Sequence, residues 1–280
     1  MSYSDYSDYS RSARSGRSGY ADSPSQTVRI KELNLDLISP NDKTYMKPDQ
    51  GGHKLVVIGK PGTGKTVLIA SLLYGKKHLI PVGVVFSGTE DSNGFYRKMF
   101  PSTFVFNKYD PEQLKKFKTR QKIAKQHLEN PWALCLLDDC TDNPAIFRTP
   151  LQGDFYKNGR HWKMLYIVSL QYCMDVRPAI RSNVDGCFIL REPNLKNRES
   201  LYKNYAGIIP DFKLFCEILD GITDDYTSLY IHNDIRTNDW RDCVFYYKAT
   251  PVPAGFKFGC PDLWSFHFDR FNPAYVDPLF

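Results

Sequence analysis

Residues 54–76, KLVVIGKPGTGKTVLIASLLYGK, place a glycine loop and a lysine between two apolar runs. The first run, Leu55 to Ile58, is short, β-branched and uninterrupted, which suits a strand buried on both faces of a parallel sheet. The second begins at Val67 and closes on Gly75, Lys76 and Lys77, residues that suit a helix C-terminus. Strand, loop and helix therefore follow in the order that the pattern G-x-x-x-x-G-K-[ST] demands. Its candidate nucleotide-binding residues are Gly59, Lys60, Pro61, Gly62, Thr63, Gly64, Lys65, Thr66 and Val67. Gly62 and Gly64 let backbone N–H groups turn inward around phosphate oxygens, and the helix start adds its positive dipole end. Lys65 brings a full charge to the β- and γ-phosphates, and the Thr66 hydroxyl is placed to ligate Mg²⁺. A plain glycine turn is the alternative, but the flanking strand and helix favour a nucleoside triphosphate site.

Strand-like runs recur downstream at 82–88, 102–107, 132–140, 164–171, 184–192 and 243–249, with helical stretches between them. Alternating β and α elements imply an α/β fold, a doubly wound parallel sheet with its ligand at the carboxyl ends of the strands. VRIKELNLDLI (28–38) alternates like a first strand at an edge or flanking position. With 280 residues, 42% of them hydrophobic, one main domain is expected over 28–250. Residues 1–27 mix Ser, Tyr, Arg, Gly and Asp with almost no aliphatic side chain and read as a disordered low-complexity tail. Residues 251–280, rich in Pro and aromatics with little helical period, read as a C-terminal extension packed over the domain or against a neighbour. Seven cysteines without a C-x-x-C pair point to reduced, packed thiols of an intracellular protein. No apolar run approaches the roughly 20 residues that span a bilayer. The net charge of +6 permits a polyanionic partner without requiring one.

Function is sought at the strand ends. Leu134 to Leu137 run straight into Asp138 and Asp139, two carboxylates that repel one another unless a cation lies near. Beside a phosphate loop they read as a Walker-B element, in which Asp138 holds the Mg²⁺ shell and Asp139 orients or deprotonates the attacking water. The competing reading is a turn, since Asp-Cys-Thr-Asp-Asn is turn-like. A second strand, Ile167 to Leu170, closes on Gln171, an amide able to reach a γ-phosphate and its lytic water, or simply to sit in solvent.

The motifs GKPGTGKT, CLLDDC, NGRHWKMLYIVSLQY and VRPAIRSNVDGCFILRE, in that order, resemble the FtsK/HerA superfamily of P-loop DNA-pumping ATPases. Within it they look like the genome-packaging ATPases of large nucleocytoplasmic DNA viruses, over roughly residues 50–250. The resemblance implies a RecA-like/ASCE P-loop NTPase, mainly a parallel central sheet flanked by helices, using ATP and Mg²⁺. It also implies a virus-encoded homo-oligomeric ring that translocates double-stranded DNA, without regard to sequence, into a preformed capsid. Virion proteins would be its partners, and the host cytoplasm, at the viral assembly site, its place, with the virion as a second one. Carried over by position, Gln171 serves the γ-phosphate, and Arg160 matches an arginine thought to act across the subunit boundary. Cellular members usually carry Glu where this chain has Asp139, one methylene shorter, although the viral branch often has Asp-Asp.

Arg181 and Arg191 are the other candidates for a cation supplied to a neighbour, and for each arginine an ordinary surface ion pair is the alternative. The stretch LKKFKTRQKIAK (114–125) suggests a helix with Leu114, Phe117 and Ile123 inward and a cationic outer face, fit to track phosphates or merely solvated. The loop SGTEDSNG (87–94) also falls at the active edge, with no role assigned. Two other classes share the phosphate loop. A kinase of nucleotides or small metabolites needs an Arg-rich lid and an acceptor site, and a nucleotide-gated interaction protein without turnover has no need of Asp139 and Gln171.

Overall fold

The computed structural model describes residues 29–140, 144–234 and 236–274, so the tail at 1–27 lies outside the described residues. The described strands are β1 (Lys31–Glu32), β2 (Lys54–Ile58), β3 (Val82–Ser87), β4 (Val105–Phe106), β5 (Ala133–Asp138), β6 (Met164–Leu170), β7 (Gly186–Ile189), β8 (Thr227–His232) and β9 (Val244–Lys248). They form one sheet in the order β1-β9-β8-β7-β2-β6-β5-β3-β4. From β7 to β4 every neighbouring pair is parallel. Only β8 runs against its neighbours, antiparallel to both β7 and β9.

The uninterrupted apolar runs are explained by cores on both faces. Side chains alternate across a strand, so Val56, Ile58, Tyr166 and Val168 enter one core while Leu55, Val57, Leu165 and Ile167 enter the other. The helix α1 (Lys65–Lys76) packs Leu68, Ile69 and Leu72 into the second core and runs through Gly75 rather than ending there. The remaining helices are α2 (Glu90–Asn93), α3 (Pro111–His127), α4 (Pro150–Asn158), α5 (Pro178–Arg181), α6 (Leu195–Tyr205), α7 (Phe212–Ile222) and α8 (Pro261–Phe268).

Four expectations from sequence change. The edge strand expected over 28–38 pairs only at Lys31 and Glu32, because the Asn34 side chain accepts from the Asp36 N–H and turns the chain into a short 3₁₀ helix at Leu35–Leu37. On α3, Ile123 is 54% exposed, and the inward position is taken by Gln121, whose Nε2 donates to the carbonyls of Pro131 and Trp162. Strand β8, TSLYIH, was not anticipated. Residues 261–268 form a helix, α8, and just before it Phe258 is buried against Phe100 at a ring separation of 4.6 Å. None of the seven cysteines is in a disulfide. No described helix is long and apolar enough to cross a membrane.

Candidate functional site

The parallel strands β2, β5 and β6 end at the same edge of the sheet. There the loop from Gly59 to Gly64 crosses from β2 into α1. Gly62 and Gly64 hold φ of +77° and +95°, a left-handed backbone that glycine adopts without strain. Gly64 is the N-cap of α1 with no side-chain hydrogen bond to the first turn, and no acidic residue lies in that turn, so the helix presents its positive end uncompensated. Val67 is the third residue of α1 and Thr66 the second. Lys60, at the base of the loop, pairs with Glu192 beyond β7 at 2.8 Å, which ties the loop to the far side of β2.

Lys65 is 5% exposed, and its Nζ donates to the Gly59 carbonyl at 2.8 Å and stands 3.6 Å from Asp139 Oδ1. Gln171, just past β6, donates from Nε2 to the same Asp139 oxygen at 3.3 Å. Asp139 itself has φ +48°, a costly conformation for a residue with a side chain. Three residues singled out in the sequence thus meet at one oxygen.

Asp138, the last residue of β5, is 2% exposed. Tyr96 OH donates to its Oδ2 at 2.9 Å. Among the described residues its buried Oδ1 makes no hydrogen bond of ordinary geometry, although the Ser169 hydroxyl lies near enough to favour the ionised carboxylate. Burial lifts the Asp138 carboxyl above its usual range, and the neighbouring charge of Asp139 adds to the effect. A buried carboxylate oxygen with acceptor capacity to spare suits a cation shell. Among the described residues no group of three or more His, Cys, Asp or Glu stands ready for a metal ion, so an ion here would take most of its oxygens from a bound phosphate and water.

Tyr96 was not found by sequence reasoning. It is set by Glu90, a buried residue of α2 whose carboxylate accepts the N–H groups of Tyr96 and Arg97 at 3.0 and 2.9 Å. The loop at 87–94, without a role in the sequence, therefore positions Asp138 through Tyr96. No local signal announces this, since Tyr96 and Asp138 are 42 positions apart.

Arg160 is not with the others. It lies in a 3₁₀ turn, Gly159–Trp162, just before β6, at the opposite end of a strand about 20 Å long. It ion-pairs with Asp234, which His53 also approaches, Nε2 to Oδ2, at 3.3 Å. Hydrogen bonding from His53, followed by that from Arg160, holds the Asp234 carboxyl far below its usual range. The Arg160 side chain remains 42% exposed. Arg191 follows β7 at the loop edge, and Arg181 is turned back onto the Val176 carbonyl at 2.6 Å.

No family model matches the chain. Among known proteins it is similar to the uncharacterized protein 088R of Invertebrate iridescent virus 3, 54% identical over 84% of this chain and 91% of that one. It is similar also to 075L of Invertebrate iridescent virus 6, 48% identical over 90% and 98% of the two chains. With 015R of Frog virus 3 the figures are 40% identity over 86% and 75%. Among solved structures it resembles B204, the DNA-packaging ATPase from Sulfolobus turreted icosahedral virus, with a TM-score of 0.51. That match has 16% identity and covers 74% of this chain and all of B204, so it speaks for the fold, an α/β P-loop NTPase.

Proposed function

The chain belongs to the family of viral proteins that includes 088R, 075L and 015R, and on that footing we propose that it is a Mg²⁺-dependent ATPase motor that drives double-stranded viral DNA into a capsid. The observation that carries this reading is the meeting of Lys65, Asp139 and Gln171 around one carboxylate oxygen, beside a buried Asp138 with an oxygen to spare. Lys65 is the cation for the β- and γ-phosphates, and the loop N–H groups from Gly59 to Thr66 cradle them. Asp138 and the Thr66 hydroxyl suit Mg²⁺, which when bound neutralises charge on the transferring phosphoryl group. Asp139 holds the lytic water, and Gln171, already hydrogen-bonded to it, couples that water to the γ-phosphate. Arg160 is too far away to serve its own loop, so it serves a neighbour's in a ring.

In this reading 28–250 is the motor domain, 251–280 its extension, and the assembly site in the host cytoplasm its place of work. The exposed Lys116, Lys122 and Lys125 of α3 give duplex DNA a sequence-independent backbone contact.

ATP hydrolysis measured with and without duplex DNA tests the reading. Wild type is expected to hydrolyse ATP faster with DNA, and Lys65→Ala to hydrolyse little in either case, by about 10²- to 10³-fold less. A wild-type rate in Lys65→Ala removes the nucleotide site, and a wild-type rate indifferent to DNA removes the motor. Phosphoryl transfer to an acceptor in place of water makes the protein a kinase.

A further inference from the structure

We propose that the segment 249–256 and Tyr226 build, against α1, the pocket that receives the nucleobase of the bound triphosphate; the proposal rests on the nucleotide site argued above and adds the ring-binding half to it. Next to the phosphate loop lies an open cavity of about 400 Å³. Its floor is α1, through Val67 and Ala70, and its walls include Met99, Val252 and Phe256, with Tyr226 beside the loop. Val67 follows Thr66 directly, so the cavity begins where the phosphate cradle ends. A β-carbon at Gly64 would stand 3.1 Å from the Tyr226 ring, which puts that ring against the loop backbone.

The lining is apolar apart from the Tyr226 hydroxyl and Lys98, so it suits a flat, weakly charged ring rather than a second phosphate. An open apolar cleft of this size is the shape a small-molecule ring takes up. Here the wall is held open. Thr250 N–H donates to Ser71 Oγ at 3.1 Å, the Phe258 N–H to the Met99 carbonyl at 2.8 Å, and the Phe256 ring stands edge-on to Tyr74 at 5.2 Å. These contacts strap the segment to both sides of the cavity without filling it. Tyr226 carries a second sign of purpose. It and Asp225 both have positive φ, +59° and +45°, a strained backbone for two consecutive residues with side chains. The Tyr226 ring is 56% exposed at the cavity mouth, where a base can stack on it. The residues after β9 thereby join the site that the loop after β2 begins.

Two probes separate the base from the phosphates: ATP, and inorganic tripolyphosphate, which has no ring. Wild type is expected to bind ATP roughly 10- to 100-fold more tightly than tripolyphosphate, the range of one stacked and buried base. Phe256→Ala and Val252→Asp should bring ATP down toward tripolyphosphate while tripolyphosphate binding stays as in wild type, with thermal unfolding as the check that each variant folds. On wild type alone, photolysis of bound 8-azido-ATP should label residues 249–256 or Tyr226. Tripolyphosphate binding with an unchanged ATP preference in the folded variants, or labelling elsewhere, overturns the pocket and leaves the phosphate site standing. A wild type that binds neither probe overturns both.

Discussion

The two ends of the central sheet are built differently. At the carboxyl end Lys65, Asp138, Asp139 and Gln171 converge from three strands, with a buried carboxylate oxygen to spare and the helix start uncapped. At the amino end the charges are matched among themselves: Arg160 with Asp234, Lys54 with Asp185 at 2.7 Å, and the main-chain N–H of Lys54 with the same Asp185 at 2.8 Å. One end is left with unmet polar demand and the other is locally satisfied. Beside a phosphate loop such unmet demand suits a ligand, since most buried polar groups are paired. Arg160 is the exception at the satisfied end, because among the described residues its buried Nε has no hydrogen-bond partner while its outer nitrogen holds Asp234. In the proposed ring, the amino end of one subunit completes the carboxyl end of the next.

The largest expected effect tests that division. Arg160→Ala should lower turnover of the assembled protein about 10³-fold, as expected for an arginine that neutralises a transferring phosphoryl group, with ATP affinity of the free subunit unchanged. Mixing it with Lys65→Ala should restore part of the rate, since each boundary between an intact loop and an intact arginine is a whole site. ATPase rate followed against protein concentration, alongside light scattering, provides the check. Specific activity that stays flat from monomer to assembly means that one subunit holds everything, and the contrast between the two ends loses its functional meaning.

The carboxyl end was largely legible in the sequence and the amino end was not. Loop conformation is local, so the glycines and Lys65 could be placed from contiguous residues, and an apolar run that stops at a polar residue identifies a strand end such as Asp138 or Gln171. Pairings across the sheet leave no such trace. Asp234 meets Arg160 from 74 positions away and Tyr96 meets Asp138 from 42. Helix α3 was legible as a helix, but its inward face was not, because a glutamine satisfied by backbone carbonyls is as buried as a leucine. The base pocket was hidden for a related reason: its wall is a proline-containing segment without period, at a place set by hydrogen bonds to Ser71 and Met99.

The next effect separates two adjacent carboxylates. Asp139→Asn and Asp138→Asn should each slow hydrolysis by about 10²-fold, but they should part in stability. Burial raises the Asp138 carboxyl above its unfolded value, so the folded chain binds that proton more readily than the unfolded chain. The ionised group therefore costs stability at neutral pH, a cost relieved as pH falls through the raised value. A neutral amide removes it. Asp138→Asn, free of nucleotide and metal, should unfold at a temperature higher by on the order of 3 °C, and Asp139→Asn should show no such gain. Calorimetry at neutral pH decides, and equal shifts in both variants would mean that burial does not distinguish the two.

The smallest effect concerns Tyr96, a positioning residue that touches Asp138 and no reacting atom. Its hydroxyl occupies Oδ2, so Oδ1 is the oxygen that would be left to hold a cation. Tyr96→Phe keeps the ring, which packs edge-on to Phe95 at 5.2 Å and Phe100 at 6.5 Å, so the fold should hold. What changes is the orientation of the carboxylate. Outer partners of a metal ligand are worth about 10-fold or more in metal affinity, so the Mg²⁺ concentration for half-maximal ATPase should rise by about 10-fold while the rate at saturating Mg²⁺ falls little. Titrating Mg²⁺ at fixed ATP measures both. A rate that drops equally at every Mg²⁺ concentration would make Tyr96 a packing residue and would break the link from the 87–94 loop to the site. A shift in Mg²⁺ alone would instead place that loop among the parts that set the carboxyl end, and would leave the amino end, where no such partner chain leads to a carboxylate with an oxygen to spare, as the half of the site that must wait for a neighbour.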